Sequence, residues 1–181
     1  AMQQHAVARG AGECGSQRYC LPAFTHGSAM LRRAVIGVQP AQAKQLVRLA
    51  GTPVLHQAIA NAGLVAGHSV TVVLGAHARD IGPALRQSAV AVAVNRDWEE
   101  GIASSIRTAV HSAPPGCEGL MLVLADQVAV TGDDLKRLYA AWRRHPVLIA
   151  AALYGGAPGL PAIFPRWAFS DLLQMRGDRD P

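Results

Sequence analysis

Two rhythms of apolar residues alternate along this chain. Short unbroken apolar runs, each closed by glycine or a polar residue, are separated by stretches where apolar side chains return every three or four positions. The first run is AVIGV at 34–38, broken by Gln39-Pro40. Residues 53–65 then place Val54, Leu55, Ala58, Ile59, Ala62 and Val65 at helical spacing, with Pro53 in the first turn, where a missing N–H costs nothing. Runs at 69–74 and 89–94 predict buried strands, with a helix over 79–87 between them whose start Gly82-Pro83 weakens. A helix over 101–111, a Pro114-Pro115-Gly116 turn and the strand GLMLVLA at 119–125 follow, the last ending at Asp126. Thr131 with Asp134 three residues on is a capping-box start for a helix through Arg144. A strand at 147–153, a short extended piece at 161–164 and a helix over 167–175 complete the pattern.

Strands that are apolar throughout belong to a sheet covered on both faces, and their alternation with helices predicts an α/β fold with a mostly parallel sheet. One domain is expected over 34–181. Residues 1–33 hold no sustained periodicity and read as an irregular N-terminal extension. In such folds ligands bind beyond the carboxyl ends of strands, so the residues just after each strand are the place to seek chemistry.

Composition narrows the classes. Of the 181 residues, 50% are hydrophobic and 16% charged, which excludes wholesale disorder. No apolar run approaches the roughly 18 residues a membrane-spanning helix needs. The three cysteines, Cys14, Cys20 and Cys117, fit neither a disulfide framework nor a zinc ribbon, so a reducing cytoplasm is expected. Ala-Met-Gln-Gln at the start carries no basic-then-apolar signal pattern. The net charge of +5 is uneven: residues 1–79 sum to +6 and 80–181 to −1, which suits an anionic partner such as a nucleotide. Fifteen of the seventeen basic residues are Arg, so codon composition is an equal explanation of that excess. Nucleic acid is not expected, because aromatics are only 5% of the chain and no basic-aromatic motif occurs.

Four places could carry chemistry. Asp126, directly after the most apolar strand, could hold Mg²⁺ while the ion takes phosphate oxygens from a nucleotide, or could merely end the strand by bonding turn N–H groups. Lys44 could meet a phosphate or be a solvated lysine. After the 90–94 run, Asn95-Arg96-Asp97-Trp98-Glu99-Glu100-Gly101 leads into a helix start bearing Ser104 and Ser105, which could hold a base edge or an anion, or serve only as a cap. Asp178 is a second metal carboxylate or part of a charged terminal tail. The seven histidines have no ligand spacing, and the G-x-G-x-x-G at 10–15 lacks the flanking strand and helix that would give it meaning.

Six stretches together resemble the MobA-like nucleotidyltransferases that include the molybdenum cofactor cytidylyl- and guanylyltransferases. They are KQLVRLAGTPVLHQAI, VTVVLGAHA, VNRDWEEGIASSIRTAV, LVLADQVAVT, GLPAIF and GDRD, spanning 44–180 in order. The resemblance is strongest to the subgroup making molybdopterin cytosine dinucleotide. It implies a three-layer α/β/α sandwich with a Rossmann-like half, and transfer of a nucleotidyl group from CTP or GTP to a phosphate-bearing acceptor such as molybdopterin, with release of pyrophosphate. It further implies Asp126 and Asp178 as Mg²⁺ carboxylates, Lys44 as a phosphate cation, and Gly37, Gly75, Asn95, Gly101, Ser104 and Ser105 around the nucleotide.

The chain also departs from that pattern. The family's Gly-rich L-A-A-G-x-S-x-R-x-G-x-x-K loop is here Gln39-Pro40-Ala41-Gln42-Ala43-Lys44, shorter and without its Arg and Ser, and Pro40 removes an N–H donor. Arg18 is a candidate displaced remnant of that Arg. The usual D-M-P is Asp126-Gln127-Val128, the usual G-H-P is Gly159-Leu160-Pro161, and the G-D-x-G-A-R ending stops at Pro181. A second reading follows: a family relative without catalysis, serving as a cofactor-binding module or as a partner of a molybdoenzyme or chaperone.

Overall fold

A computed structural model describes residues 7–8, 33–37, 48–49 and 51–177. Seven strands form the main sheet: β1 (Val7–Ala8), β2 (Arg33–Gly37), β5 (Val70–Leu74), β6 (Ala91–Val94), β7 (Gly119–Leu124), β8 (Ile149–Tyr154) and β9 (Ala157–Pro165), in the order β1-β8-β9-β7-β2-β5-β6. The short strands β3 (Arg48–Leu49) and β4 (Thr52–Pro53) pair separately. β7, β2, β5 and β6 run parallel, while β9 is inserted antiparallel between β7 and β8. Five strands therefore share one direction, with β9 and β1 opposed. The sheet is mostly parallel, as the apolar runs predict.

Alternate residues of each central strand feed two cores. Val72 and Leu74 of β5 and Met121 and Val123 of β7 face helices α1 (Val54–Ala66) and α4 (Gly132–Arg144), with Leu55, Leu135 and Trp142. Val73, Leu120 and Leu122 face the opposite layer, α3 (Ile102–His111) and α5 (Phe169–Gln174), with Ile106 and Phe169. Burial on both faces is why these strands read as unbroken apolar runs. The result is the expected three-layer sandwich.

Several elements differ from the sequence expectation. β6 is not buried: Val92 is 44% and Val94 57% exposed. It is the last strand of the sheet, hydrogen-bonded only to β5 among the described residues. The short piece at 161–164 is the middle of the nine-residue β9, which returns antiparallel after a turn whose glycines, Gly155 and Gly156, adopt φ of +58° and +89°. Pro53 stands one position before α1, as its N-cap. The helix expected at 79–87 is one α-turn, α2 (Ala78–Ile81), continued as 3-10 over Gly82–Leu85. Val7–Ala8, within the expected extension, pairs with β8 at Ala150 and Ile149.

Candidate nucleotide and metal site

The parallel strands deliver their carboxyl ends to one edge. Gly37 ends β2 opposite Leu124 of β7, and its carbonyl accepts the Ala125 N–H at 3.0 Å. Asp126 follows at once and is exposed. Its backbone carbonyl accepts the Val128 N–H at 2.8 Å, tightening the turn, but its carboxylate bonds no described residue. A strand-ending Asp would spend that carboxylate on turn N–H groups, which it does not do among the described residues. Asp126 borders an open groove whose opposite wall is the start of α4, with Thr131, Asp134 and Arg137, and the β8–β9 turn.

On the α3 face of the sheet, Gly37 and Ser105 line one small pocket with Ile102, Ile106, Leu122 and Leu160. Two candidates predicted to surround a nucleotide are thus brought together. Asn95 and Ser104 lie beneath that wall, each 2% exposed. The Asn95 side chain donates to Ser104 Oγ at 2.8 Å and Ser105 Oγ at 3.1 Å, and accepts the Asp97 N–H at 3.0 Å. Ser104 Oγ donates to the Gly101 carbonyl at 2.7 Å. Asn95 and Ser104 are thus buried and bonded to each other behind the wall. Ser105, one residue on and about 100° further round the helix, lines the pocket while its Oγ accepts the Asn95 amide.

The glycines have different reasons to be there. Gly101 precedes α3 with φ +97°, a conformation that strains any L side chain. Gly75 lies against Trp98, where an added Cβ would meet the Trp98 Cβ at 2.7 Å. This close approach packs the NRDWEEG turn on the end of β5.

Arg107, within the SSIR stretch, was not singled out by spacing. It donates to the Met175 carbonyl at 2.7 Å and pairs through both guanidinium nitrogens with Glu100. That hydrogen bond holds the Glu100 carboxyl below its ordinary range, against the small opposing effect of burial. The Ala103 N–H donates to the Gly177 carbonyl at 3.1 Å, so the chain just before Asp178 is fastened to the start of α3. Lys44 and Asp178 themselves lie outside the described residues.

Across the groove, the capping box forms as expected: the Thr131 N–H and hydroxyl both donate to Asp134 Oδ2, at 2.9 and 2.6 Å, and Asp134 accepts Arg137 at 2.5 Å. Burial alone would raise the Asp134 carboxyl; the Thr131 bonds and the Arg137 charge outweigh it and hold it low. Burial, and then the Asp134 charge, pushes the Tyr154 phenol up.

Among the described residues no three His, Cys, Asp or Glu side chains cluster as a metal cage. One unpaired carboxylate at a groove fits Mg²⁺ or Mn²⁺, which bind through one or two carboxylates plus waters and substrate phosphates rather than through an all-protein site. No described helix is long and apolar enough to cross a membrane.

Solved structures share this architecture. Rv0371c from Mycobacterium tuberculosis H37Rv, solved in complex with manganese, is 25% identical, with 81% of this chain and 77% of that one covered and a TM-score of 0.69. Its homologue from Mycobacterium sp. strain JC1 is 23% identical over 83% and 78% of the two chains, with a TM-score of 0.68. A nucleotidyl transferase from Methanothermobacter thermautotrophicus is 18% identical over 82% and 78%, at 0.67. The last two show the fold alone. No curated protein matches the chain. The model of the MobA-like NTP transferase domain matches residues 32–181, and the chain therefore belongs to that family of nucleotidyltransferases.

Proposed function

We propose that the protein transfers a nucleotidyl group from CTP, with GTP the next candidate, to a phosphate-bearing acceptor such as molybdopterin in the cytoplasm. An oxygen of the acceptor phosphate bonds to the α-phosphorus, the bond from that phosphorus to the bridging oxygen breaks, and pyrophosphate leaves with its electron pair. Two polyanions must meet in line, so the protein's task is charge neutralisation and positioning rather than strong acid or base chemistry. When bound, Mg²⁺ supplies positive charge to the phosphate oxygens. Asp126 would hold it, with Asp178 as a second carboxylate, and Lys44 would neutralise phosphate charge. Gly37 admits the backbone close to the nucleotide, and Ser105 offers a hydroxyl to it, held in place by Asn95 and Ser104.

The observation carrying this reading is the exposed Asp126 carboxylate, bonded to no described residue, two residues beyond the Gly37–Leu124 pair. Calorimetric titration of CTP, GTP and ATP with Mg²⁺ tests it on the wild type and Asp126→Ala. Metal-dependent binding of one nucleotide, lost in the variant, is expected. The shortened phosphate loop, without its Arg, favours the alternative of a non-catalytic partner module. Absence of binding at millimolar nucleotide would select that alternative.

A further inference from the structure

Two sites where the sequence departs from the family's pattern meet in space. Gln127, in place of Met, and Leu160, in place of His, are 33 residues apart, yet Gln127 Nε2 donates to the Leu160 carbonyl at 2.6 Å. The other end of the same amide turns back on the strand: Gln127 Oε1 accepts the Leu124 N–H at 3.4 Å, while the Gln127 N–H donates to the Leu124 carbonyl at 3.4 Å. Asp126 lies inside the short ring that Leu124 and Gln127 close. One carboxamide thus ties the end of β7, the Asp126 turn and β9 together.

The turn is held from its far side as well. Asn61, on α1, donates to the Val130 carbonyl at 2.9 Å, and the Val130 N–H donates to the Gln127 carbonyl at 3.0 Å. The segment from Asp126 to Val130 is therefore held by its own Gln127 amide, which reaches β7 and β9, and by the Asn61 amide from α1. We infer that Gln127 and Asn61 are positioning residues that hold the turn bearing the Asp126 carboxylate, which would bind a divalent ion. This rests on Asp126 being the metal carboxylate. Replacing groups that orient a metal ligand from behind typically costs about 10–100-fold in metal affinity.

The Leu160 carbonyl supplies the control. It accepts a second hydrogen bond, from the Tyr154 hydroxyl at 2.7 Å. Tyr154→Phe and Gln127→Met each remove one donor to the same carbonyl; the Tyr154 hydroxyl also accepts Gln127 Nε2, at 3.5 Å, but only Gln127 bonds Leu124 at the end of β7. A role confined to fastening β9 would make the two variants alike.

The experiment is Mn²⁺ binding to the full chain in the presence of CTP, followed by the electron paramagnetic resonance of free Mn²⁺. Gln127→Met is expected to weaken Mn²⁺ about tenfold, the low end of the loss for an outer-shell partner, and Tyr154→Phe by less than about twofold. Asn61→Leu, which leaves both donors on Leu160, is expected to match Gln127→Met and stands in for it should that variant not fold. Equal affinities in Gln127→Met, Asn61→Leu and Tyr154→Phe would overturn the inference while leaving Asp126 as the metal carboxylate. A wild type that binds no Mn²⁺ would overturn both.

Discussion

Replacing Asn95 with alanine removes three hydrogen bonds at once, to Ser104 Oγ, Ser105 Oγ and the Asp97 N–H. The side chain is almost wholly buried, so water cannot take over these partners without opening the wall between β6 and α3. At about 0.5–1.5 kcal/mol net for each bond, and with the longer bond to the partly exposed Ser105 near the low end, Asn95→Ala should cost about 2–4 kcal/mol. Against the usual ~5–15 kcal/mol of a folded domain that is a large fraction, and it corresponds to a melting temperature lower by about 5–15 °C. Urea unfolding followed by tryptophan fluorescence measures it as a shift in midpoint at unchanged slope. Ser105→Ala is the contrasting perturbation. It loses only the 3.1 Å bond from Asn95, so its stability cost should stay below about 1 kcal/mol, while CTP binding should weaken because the hydroxyl proposed to meet the nucleotide is gone. If Asn95→Ala unfolds within about 0.5 kcal/mol of wild type, the network does not hold the wall and the division between supporting Asn95 and ligand-facing Ser105 fails.

Two further predictions concern the groove and the NRDWEEG turn. Because Asp134 holds its proton more weakly folded than unfolded, the unfolded chain binds protons first as the pH falls. Its contribution is then whole above about pH 5 and lost as the pH drops through the folded-state value, so Asp134→Asn should be less stable than wild type at neutral pH, by a gap that narrows at acid pH. Urea midpoints at neutral and acid pH check this, and a constant gap would contradict it. Gly75→Ala should destabilise by about 1–3 kcal/mol and shift tryptophan emission, because the new methyl meets Trp98 at its Cβ, where the ring's rotation gives no relief. Wild-type stability would show that the turn moves freely off β5.

Local patterns carried much of this architecture. The Thr131–Asp134 capping box formed as its spacing implies, since both partners lie within one turn of backbone. The apolar runs of β5 and β7 announced burial on both faces, because each alternate residue needs an apolar neighbour whichever way it points. Asp126 was legible for a similar reason: its place follows from where the strand stops.

Strand order and helix rotation were decided elsewhere. The Ala91–Val94 run looks like any buried strand, yet it lies at the sheet's margin, because being central or marginal depends on which neighbours arrive and not on the run itself. The antiparallel return of β9 rests on the glycine turn at 155–156 and on pairing with β7, contacts made across some 40 residues of chain. The rotation of α3 about its axis buried Ser104 and left Ser105 on the pocket, a difference that two adjacent serines cannot express in one dimension. Gln127 and Leu160 each read as a lost family residue; only folding brings the amide of one to the carbonyl of the other. Sequence fixes propensity and periodicity over a few residues, whereas hydrogen bonds between distant segments exist only once the whole core has set their distance.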